Sequence, residues 1–356
     1  MKMESKRFVP PLYPTGRVSP AVNPKYSGSV AIIMRTKDRP LLLHRAIASV
    51  LCQTHEKWHL YLVNDGGNPE KIKELIKAYE GPLRARITVI HHPHSLGMEN
   101  ASNAGLALAK EEFVVVHDDD DSWHPEFLES TVKFLSDPEN SHCVGVTTGC
   151  VVVQEQIIDD SVEEIARIPW VYNNSLIDMA EILKENKFPP ICFLFRRAII
   201  DYIGPFNGAL PVLGDWEFNI RALLLGDIDF IDRPLAYYHH RQAASGVYGN
   251  SVVDGHAKHV RYNCLLRNSL LRLALEQNPA NIGLMQLIVA RDRAPISSDI
   301  IGHLERISHR MGQLEEQIRD IRTVASWTHK MLRPVRWFWV RAYPVRRLIA
   351  KWRGRI

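Results

Sequence analysis

The sequence predicts an α/β fold, a Rossmann-like, mostly parallel sheet with helices on both faces, and three observations lead there. Short β-branched apolar runs alternate with stretches of helical hydrophobic spacing across residues 29–125, the pattern of strand–helix–strand units. Polar residues gather where those runs end, and such sheets bind ligands at the carboxyl ends of their strands. One run, Val114-Val115-Val116-His117, breaks off into four consecutive carboxylates, Asp118 to Asp121, and then Ser122-Trp123-His124-Pro125.

Each element follows from its own pattern. Ser29 to Met34 is a buried-strand run, and Leu42, Leu43, Ala46, Ile47, Val50 and Leu51 keep helical spacing after Pro40. Trp58 to Val63 is a second strand ending at Asn64-Asp65-Gly66-Gly67, Lys71 to Tyr79 a helix, and Arg86 to Ile90 a third strand. Gly97 to Lys110 is a helix of small residues that leads to the strand before the acids. Trp123 and Pro125 look like the start of the next helix. No G-x-G-x-x-G follows the first strand and no P-loop is present, so both of those nucleotide-binding readings lose their support.

Four adjacent carboxylates repel one another and rise in pKa unless cations or hydrogen-bond donors compensate them. A hard divalent cation, Mg²⁺ or Mn²⁺, is the obvious compensator, because it takes oxygen ligands and shares them with substrate phosphates. A simple calcium loop is not indicated, since the twelve-residue pattern is absent.

Composition bounds the rest. With 356 residues, 46% hydrophobic and 24% charged, the chain can bury one sizeable α/β core plus appendages. The five cysteines are scattered, with no C-x-x-C pair, so neither a zinc site nor a disulfide framework is suggested and a reducing, cytoplasmic setting is expected. No apolar run reaches the ~18 residues that a membrane span needs. The net charge of +4 hides an asymmetry: residues 321–356 hold ten Lys/Arg and no acid, leaving a mildly acidic body.

The order of short phrases in the body resembles the family 2 glycosyltransferases, inverting nucleotide-sugar enzymes of GT-A fold. The opening V-S-I-I-I-P-T-Y-N-R stands here as Val30 to Arg39, S-V-L-x-Q-T as Ser49 to Thr54, and D-D-G-S as Asn64 to Gly67. G-x-x-x-A-R-N-x-G stands as Gly97 to Gly105, and D-x-D-D-x-W-x-P is complete from Asp118 to Pro125. The similarity runs from about Ser29 to Gly246. It departs from the family at Arg35 (usually proline), Asn64 (acid), Ser102 (arginine) and Gly214 (glutamate).

The resemblance implies roles. Asp65 would bond the nucleotide base, Thr36 would line that pocket, and Asn103 belongs to the donor site. Asp118 and Asp120 would be the D-x-D pair, with Asp120 the direct metal ligand and Asp118 or Asp119 reaching the ribose or a metal-bound water. Asp121 is expected to cap the following helix. Gly214-Asp215-Trp216-Glu217 resembles the element whose second acid is the general base. Asp215 is therefore the expected base, with Glu217 beside it touching acceptor or donor sugar. Among His239, His240 and Arg241, His240 is expected at the metal and Arg241 at the diphosphate. A sugar nucleotidyltransferase would need a G-x-G-T-x-x loop in place of Arg35-Thr36-Lys37-Asp38. A catalytically degenerate domain serving as a membrane scaffold is the alternative that the departures leave open.

The expected organisation is a proline-rich arm (1–28), a GT-A catalytic domain (29–253), a helical extension (254–302), a short amphipathic helix (303–326) and a basic aromatic tail (327–356). Leu304, Ile307, Met311, Leu314, Ile318 and Ile321 form an a/d seam compatible with self-association or with docking on the body. Arginines interleaved with Trp and Tyr in the tail suit an anionic membrane surface, and nothing in the body supports nucleic acid as a partner. The expected partners are a nucleotide sugar, most readily UDP-linked, and a lipid-linked or surface glycan acceptor at the inner face of the cell membrane.

Overall fold

The computed structural model of the chain describes residues 27–158, 161–170, 176–241, 248 and 256–278. The proline-rich arm before residue 27, the seam at 304–321 and the tail at 327–356 lie outside the described residues. The chain divides into two compact units, Met1–Leu273 and Ala274–Ile356, and the architecture below is that of the first.

Its opening half runs β1 (Val30–Thr36), α1 (Pro40–Leu51), β2 (Trp58–Asp65), α2 (Pro69–Ala78), α3 (Glu80–Leu83), β3 (Ile87–His92), α4 (Met98–Leu108) and β4 (Phe113–Asp118). β1, β2, β3 and β4 pair in parallel in the order β3-β2-β1-β4. Val30 to Met34 are buried without interruption, as a strand covered on both faces requires. Small residues let α4 lie close to the sheet. A Cβ on Gly105 would stand 2.9 Å from Ile33 Cγ2, so a larger residue there would push the helix off β1.

The second half runs β5 (Ser122–Trp123), α5 (Phe127–Ser136), β6 (Cys143–Ile158), β7 (Ser161–Pro169), α6 (Met179–Ile182), β8 (Phe193–Arg196), α7 (Ile200–Ile203), α8 (Gly214–Leu225), β9 (Asp227–His240) and α9 (His256–Gln277). It turns the sheet mixed. β8 pairs antiparallel with both β4 and β6, β9 pairs parallel with β6, and β5 pairs antiparallel with β9. Residues past Val151 continue β6 into a hairpin with β7. Their polar alternation gives no continuous apolar run to mark a strand. Among the described residues no helix is long and apolar enough to cross a membrane.

Two expectations at the acid turn are corrected. Trp123 does not open a helix; Ser122 and Trp123 form β5, and the helix begins at Phe127. Burial decides this, because the indole stacks on Phe127 at 4.5 Å and donates from Nε1 to the Ile191 carbonyl at 2.8 Å. Nor does Asp121 cap that helix, for its Oδ1 accepts from the His239 backbone N–H at 2.9 Å and so ties the turn to β9.

The S-V-L-x-Q-T phrase gains a structural reason. Gln53, just past α1, donates to the His124 carbonyl at 2.9 Å and accepts from the Leu128 N–H at 3.0 Å, while the Thr54 N–H donates to the Pro125 carbonyl at 2.9 Å. The end of α1 thus clasps the segment that leaves the acid turn. Gln53→Ala strips these buried backbone groups of partners and is expected to cost about 1–3 kcal/mol, read as a lowered denaturant midpoint with unchanged slope.

Candidate active site

β1 and β4 lie side by side with Arg35 opposite Asp118, so parallel pairing alone brings a guanidinium to the first acid of the cluster. Arg35 Nε donates to Asp118 Oδ1 at 2.9 Å, and Nη2 bonds the same oxygen. In front of the pair opens a cavity of about 240 Å³ whose wall includes Arg35, Glu99, Asp118, Asp215, Tyr238 and His240. Asp118 keeps 27% of its side chain exposed. Asp215 enters from the first turn of α8, where Asn186 Nδ2 donates to its Oδ2 at 2.7 Å. Burial raises the Asp215 pKa, with the Asp118 charge adding to it, against the pull of Arg35 and Asn186. Glu99, from the first turn of α4, is pushed up to about 7, chiefly by burial and further by Asp215 and Asp118.

Behind this wall the remaining acids are neutralised by the protein itself. Asp119, with a wholly buried side chain, pairs with Arg39 at 2.5 Å. Asp120 Oδ2 accepts from Arg39 Nη1 at 3.2 Å and from Arg241 Nη2. Burial works to raise the Asp120 pKa, yet the charges of Arg39, Arg241 and Arg45 hold it below the usual carboxylate value. Arg45 reaches from α1 to the Asp120 carbonyl and, at 2.6 Å, to Glu155. Glu155 also takes Arg241 at 2.5 Å and His239 Nδ1 at 2.8 Å. Burial would raise this carboxyl, but the bonds from His239 and Arg45 bring it down to about 2. His117, fully buried beside the turn, is held down to about 4 by desolvation.

The expected residues sort unevenly around this geometry. Asp118, Asp215 and His240 share the cavity, and Thr36 is buried at the end of β1. Asp65 ends β2, where its carboxylate accepts from His92 Nδ1 (2.8 Å), Ser95 Oγ (2.6 Å) and the N–H groups of Leu96 (2.8 Å) and Gly97 (3.1 Å), fixing the loop before α4. Asp119, expected at the ribose, is turned inward onto Arg39. Asn103 spends both polar atoms on the Phe206 backbone, at 2.9 and 2.8 Å. Glu217 is held at 2.7 Å by Arg221, whose other nitrogens bond the carbonyls of Ile203, Gly204 and Pro205; it braces α8 instead of facing the cavity. Arg241 has no exposed side-chain surface and is spent on Asp120 and Glu155.

For a divalent ion the donors fit in part. Both Arg35 bonds fall on Asp118 Oδ1, and His240 Nε2 is buried without a hydrogen-bond partner among the described residues. One carboxylate and one imidazole, completed by substrate phosphates and water, is a workable set for Mg²⁺ or Mn²⁺. Asp120, expected as the direct ligand, is instead occupied by Arg39 and Arg241. Among the described residues, the one His/Cys/Asp/Glu trio with ligand atoms within 4.8 Å of one another is His142, Cys143 and Asp229, near the starts of β6 and β9 and away from the acid turn.

The sequence model of Glycosyl transferase family 2 matches residues 31–204, which span β1 through α7 and carry the acid turn. Residues 31–204 form a domain of that family. The transferase is 25% identical over 193 residues to a PGL/p-HBAD biosynthesis glycosyltransferase of Mycobacterium bovis, covering 54% of this chain and 68% of that one. It is 26% identical over 198 residues to the amylovoran biosynthesis glycosyltransferase AmsE of Erwinia amylovora, covering 56% and 70%. A crystal structure of S. aureus TarS 1–349 in complex with UDP-GlcNAc is similar at 17% identity and a TM-score of 0.49, over 61% of this chain and 62% of that one. The mixed α/β sheet of the transferase is of the GT-A kind.

Sequence reasoning missed the compensating side of the site. Arg39 stood inside the opening phrase and Arg45 on the face of a regular helix, where neither was distinguishable from a solvated cation. Glu155 lies on a strand whose alternation hides it. Glu99 occupies an unspecified position of its phrase, so only the fold reveals it.

Two outcomes follow for the transferase. Glu155→Ala removes the carboxylate that Arg45, Arg241 and His239 share, leaving Asp120 to balance Arg241, and is expected to cost about 3–5 kcal/mol, measured by chemical denaturation. On acidification, the unfolded chain protonates His117 near 6.5 while the native chain resists to about 4. Glu155 protonates near 4.5 unfolded and only about 2 folded. At both groups the unfolded state binds more protons, so each lowers the unfolding free energy as pH drops, His117 from 6.5 to about 4 and Glu155 from 4.5 to about 2, while Glu99, raised to about 7, acts in the opposite sense between about 7 and 4.5. Below 4.5, where Glu99 no longer opposes it, a denaturant midpoint that does not fall with pH would contradict the Glu155 assignment.

Proposed function

We propose that the transferase moves a sugar from a nucleoside-diphosphate donor, most readily a UDP-sugar, to an acceptor hydroxyl with inversion at the anomeric carbon. The observation that carries this reading is the single cavity in which Asp215, a carboxylate with a raised pKa, faces the Arg35–Asp118 pair. A carboxylate made more basic by burial is suited to accept a proton near neutrality. The acceptor oxygen attacks the anomeric carbon, its proton passes to the Asp215 carboxylate, and the bond from that carbon to the diphosphate oxygen breaks with its electron pair leaving on the diphosphate. Arg35 supplies fixed positive charge on the donor side, where the family phrase carries an arginine at the position of Ser102. When bound, a divalent ion held by Asp118 and His240 supplies further neutralisation of that charge.

Relatives named for PGL/p-HBAD biosynthesis and for amylovoran biosynthesis support a lipid-linked or surface glycan as acceptor. The basic aromatic segment at 327–356 suits attachment to the anionic inner face of the membrane where such acceptors are built. Its nine Lys/Arg residues contribute roughly 1 kcal/mol each near an anionic surface.

Asp215→Asn is expected to lower turnover by about 10²- to 10⁴-fold while donor binding, followed by calorimetry, stays within a few-fold of wild type. Unchanged transfer by this variant and by Asp118→Ala would sink the mechanism. A chain ending after residue 326 is expected to lose sedimentation with phosphatidylserine vesicles and to keep transfer to a soluble acceptor.

A further inference from the structure

Gly214 opens α8, and its backbone does not require glycine, since its φ lies outside the left-handed region. Space requires it. A Cβ at this position would stand 2.1 Å from Glu99 Oε1, 2.3 Å from its Cγ and 2.5 Å from its Cδ. Absence of a side chain on α8 therefore makes room for a carboxylate delivered from α4. That carboxylate is 5% exposed and forms no salt bridge among the described residues. It forms part of the wall of the main cavity beside Asp118 and Asp215, and of a smaller pocket behind it that Arg35 and Ser102 share. Burying an acid with unfilled hydrogen-bonding capacity is costly, so its retention at a substrate-sized cavity calls for a ligand that satisfies it.

A second exchange in the same pocket makes the first intelligible. Where the family phrases place glutamate before Asp215 and arginine before Asn103, this chain has Gly214 and Ser102. Each lost charge is restored from a neighbouring element: the acid by Glu99 of α4, the cation by Arg35 of β1. Ser102, 1% exposed, is small enough to leave the guanidinium its place. The pocket keeps one positive and one negative group, supplied from different strands and helices.

We propose that Glu99 is a sugar-binding residue, its carboxylate accepting a hydrogen bond from a hydroxyl of the transferred sugar and standing in for the side chain absent at 214. This rests on the glycosyl-transfer reading above. Glu99 faces Asp118 on the donor side and Asp215 at the reacting centre, which puts it against the sugar and not against the nucleotide.

The test compares a nucleoside diphosphate with its sugar-linked form by titration calorimetry, using whichever of a panel of UDP- and GDP-hexoses binds wild type tightest. Glu99→Ala is expected to weaken the nucleotide sugar about tenfold and leave the free nucleoside diphosphate unchanged, since one hydrogen bond to a charged group is of that size. Gly214→Glu alone is expected to lower the melting temperature, because its side chain meets Glu99. Glu99→Ala/Gly214→Glu returns a carboxylate from the opposite side and is expected to recover most of the sugar-dependent affinity. Equal binding of the sugar form by wild type and Glu99→Ala, or a folded double variant that recovers nothing, would overturn the proposal. Loss of both ligands together in Glu99→Ala would show a structural role only. Failure of wild type to bind any nucleotide or nucleotide sugar would overturn the glycosyl-transfer reading itself.

Discussion

Pairing of carboxylate with guanidinium across the acid turn is the interaction on which the rest of this structure depends. Asp118 to Asp121 cannot be buried at the end of β4 as bare charges, because the cost of desolvating an ion exceeds the stability of the whole domain. Arg35 and Arg39 come from β1 and the turn after it, Arg45 from α1, and Arg241 from the end of β9. These elements are brought together only by the complete sheet, so the turn is formed only when the fold is.

The pairing also divides the cluster into two tiers. Asp118 stays partly exposed and shares its Arg35 partner with the cavity, whereas Asp119 and Asp120 are bonded inward to Arg39 and Arg241. Glu155 anchors the inner tier from β6, joining Arg45, Arg241 and His239. The inner tier thus acts as a platform and the outer residues meet the substrate. Asp215 and Glu99 hold protons more tightly than free carboxylates chiefly because they are buried, with the Asp118 charge adding to the effect.

Legibility in the sequence followed the range of the interactions. β1 to β4 and their helices were readable because apolar period is a local property, and the acid turn was readable because four carboxylates in a row have few structural uses. Trp123 misled, since helix and strand starts share an aromatic before proline and only stacking on Phe127 separates them. Glu217 and Asn103 were expected at substrate by analogy, yet their partners Arg221 and the Phe206 backbone are set by packing between α8, α4 and the turn at 204–206. The β6–β7 hairpin was hidden for a related reason, in that long-range pairing and not composition makes it a strand.

One consequence concerns how the molecule opens. α1 holds both ends of the acid turn, through Arg45 on the Asp120 carbonyl and through Gln53 on the His124 carbonyl and the Leu128 amide. The turn and α1 are therefore one cooperative unit despite their separation along the chain, and neither can fray without the other. The Leu128 amide is bonded to the Gln53 side chain just past α1, so its exchange with solvent reports on the release of that clasp.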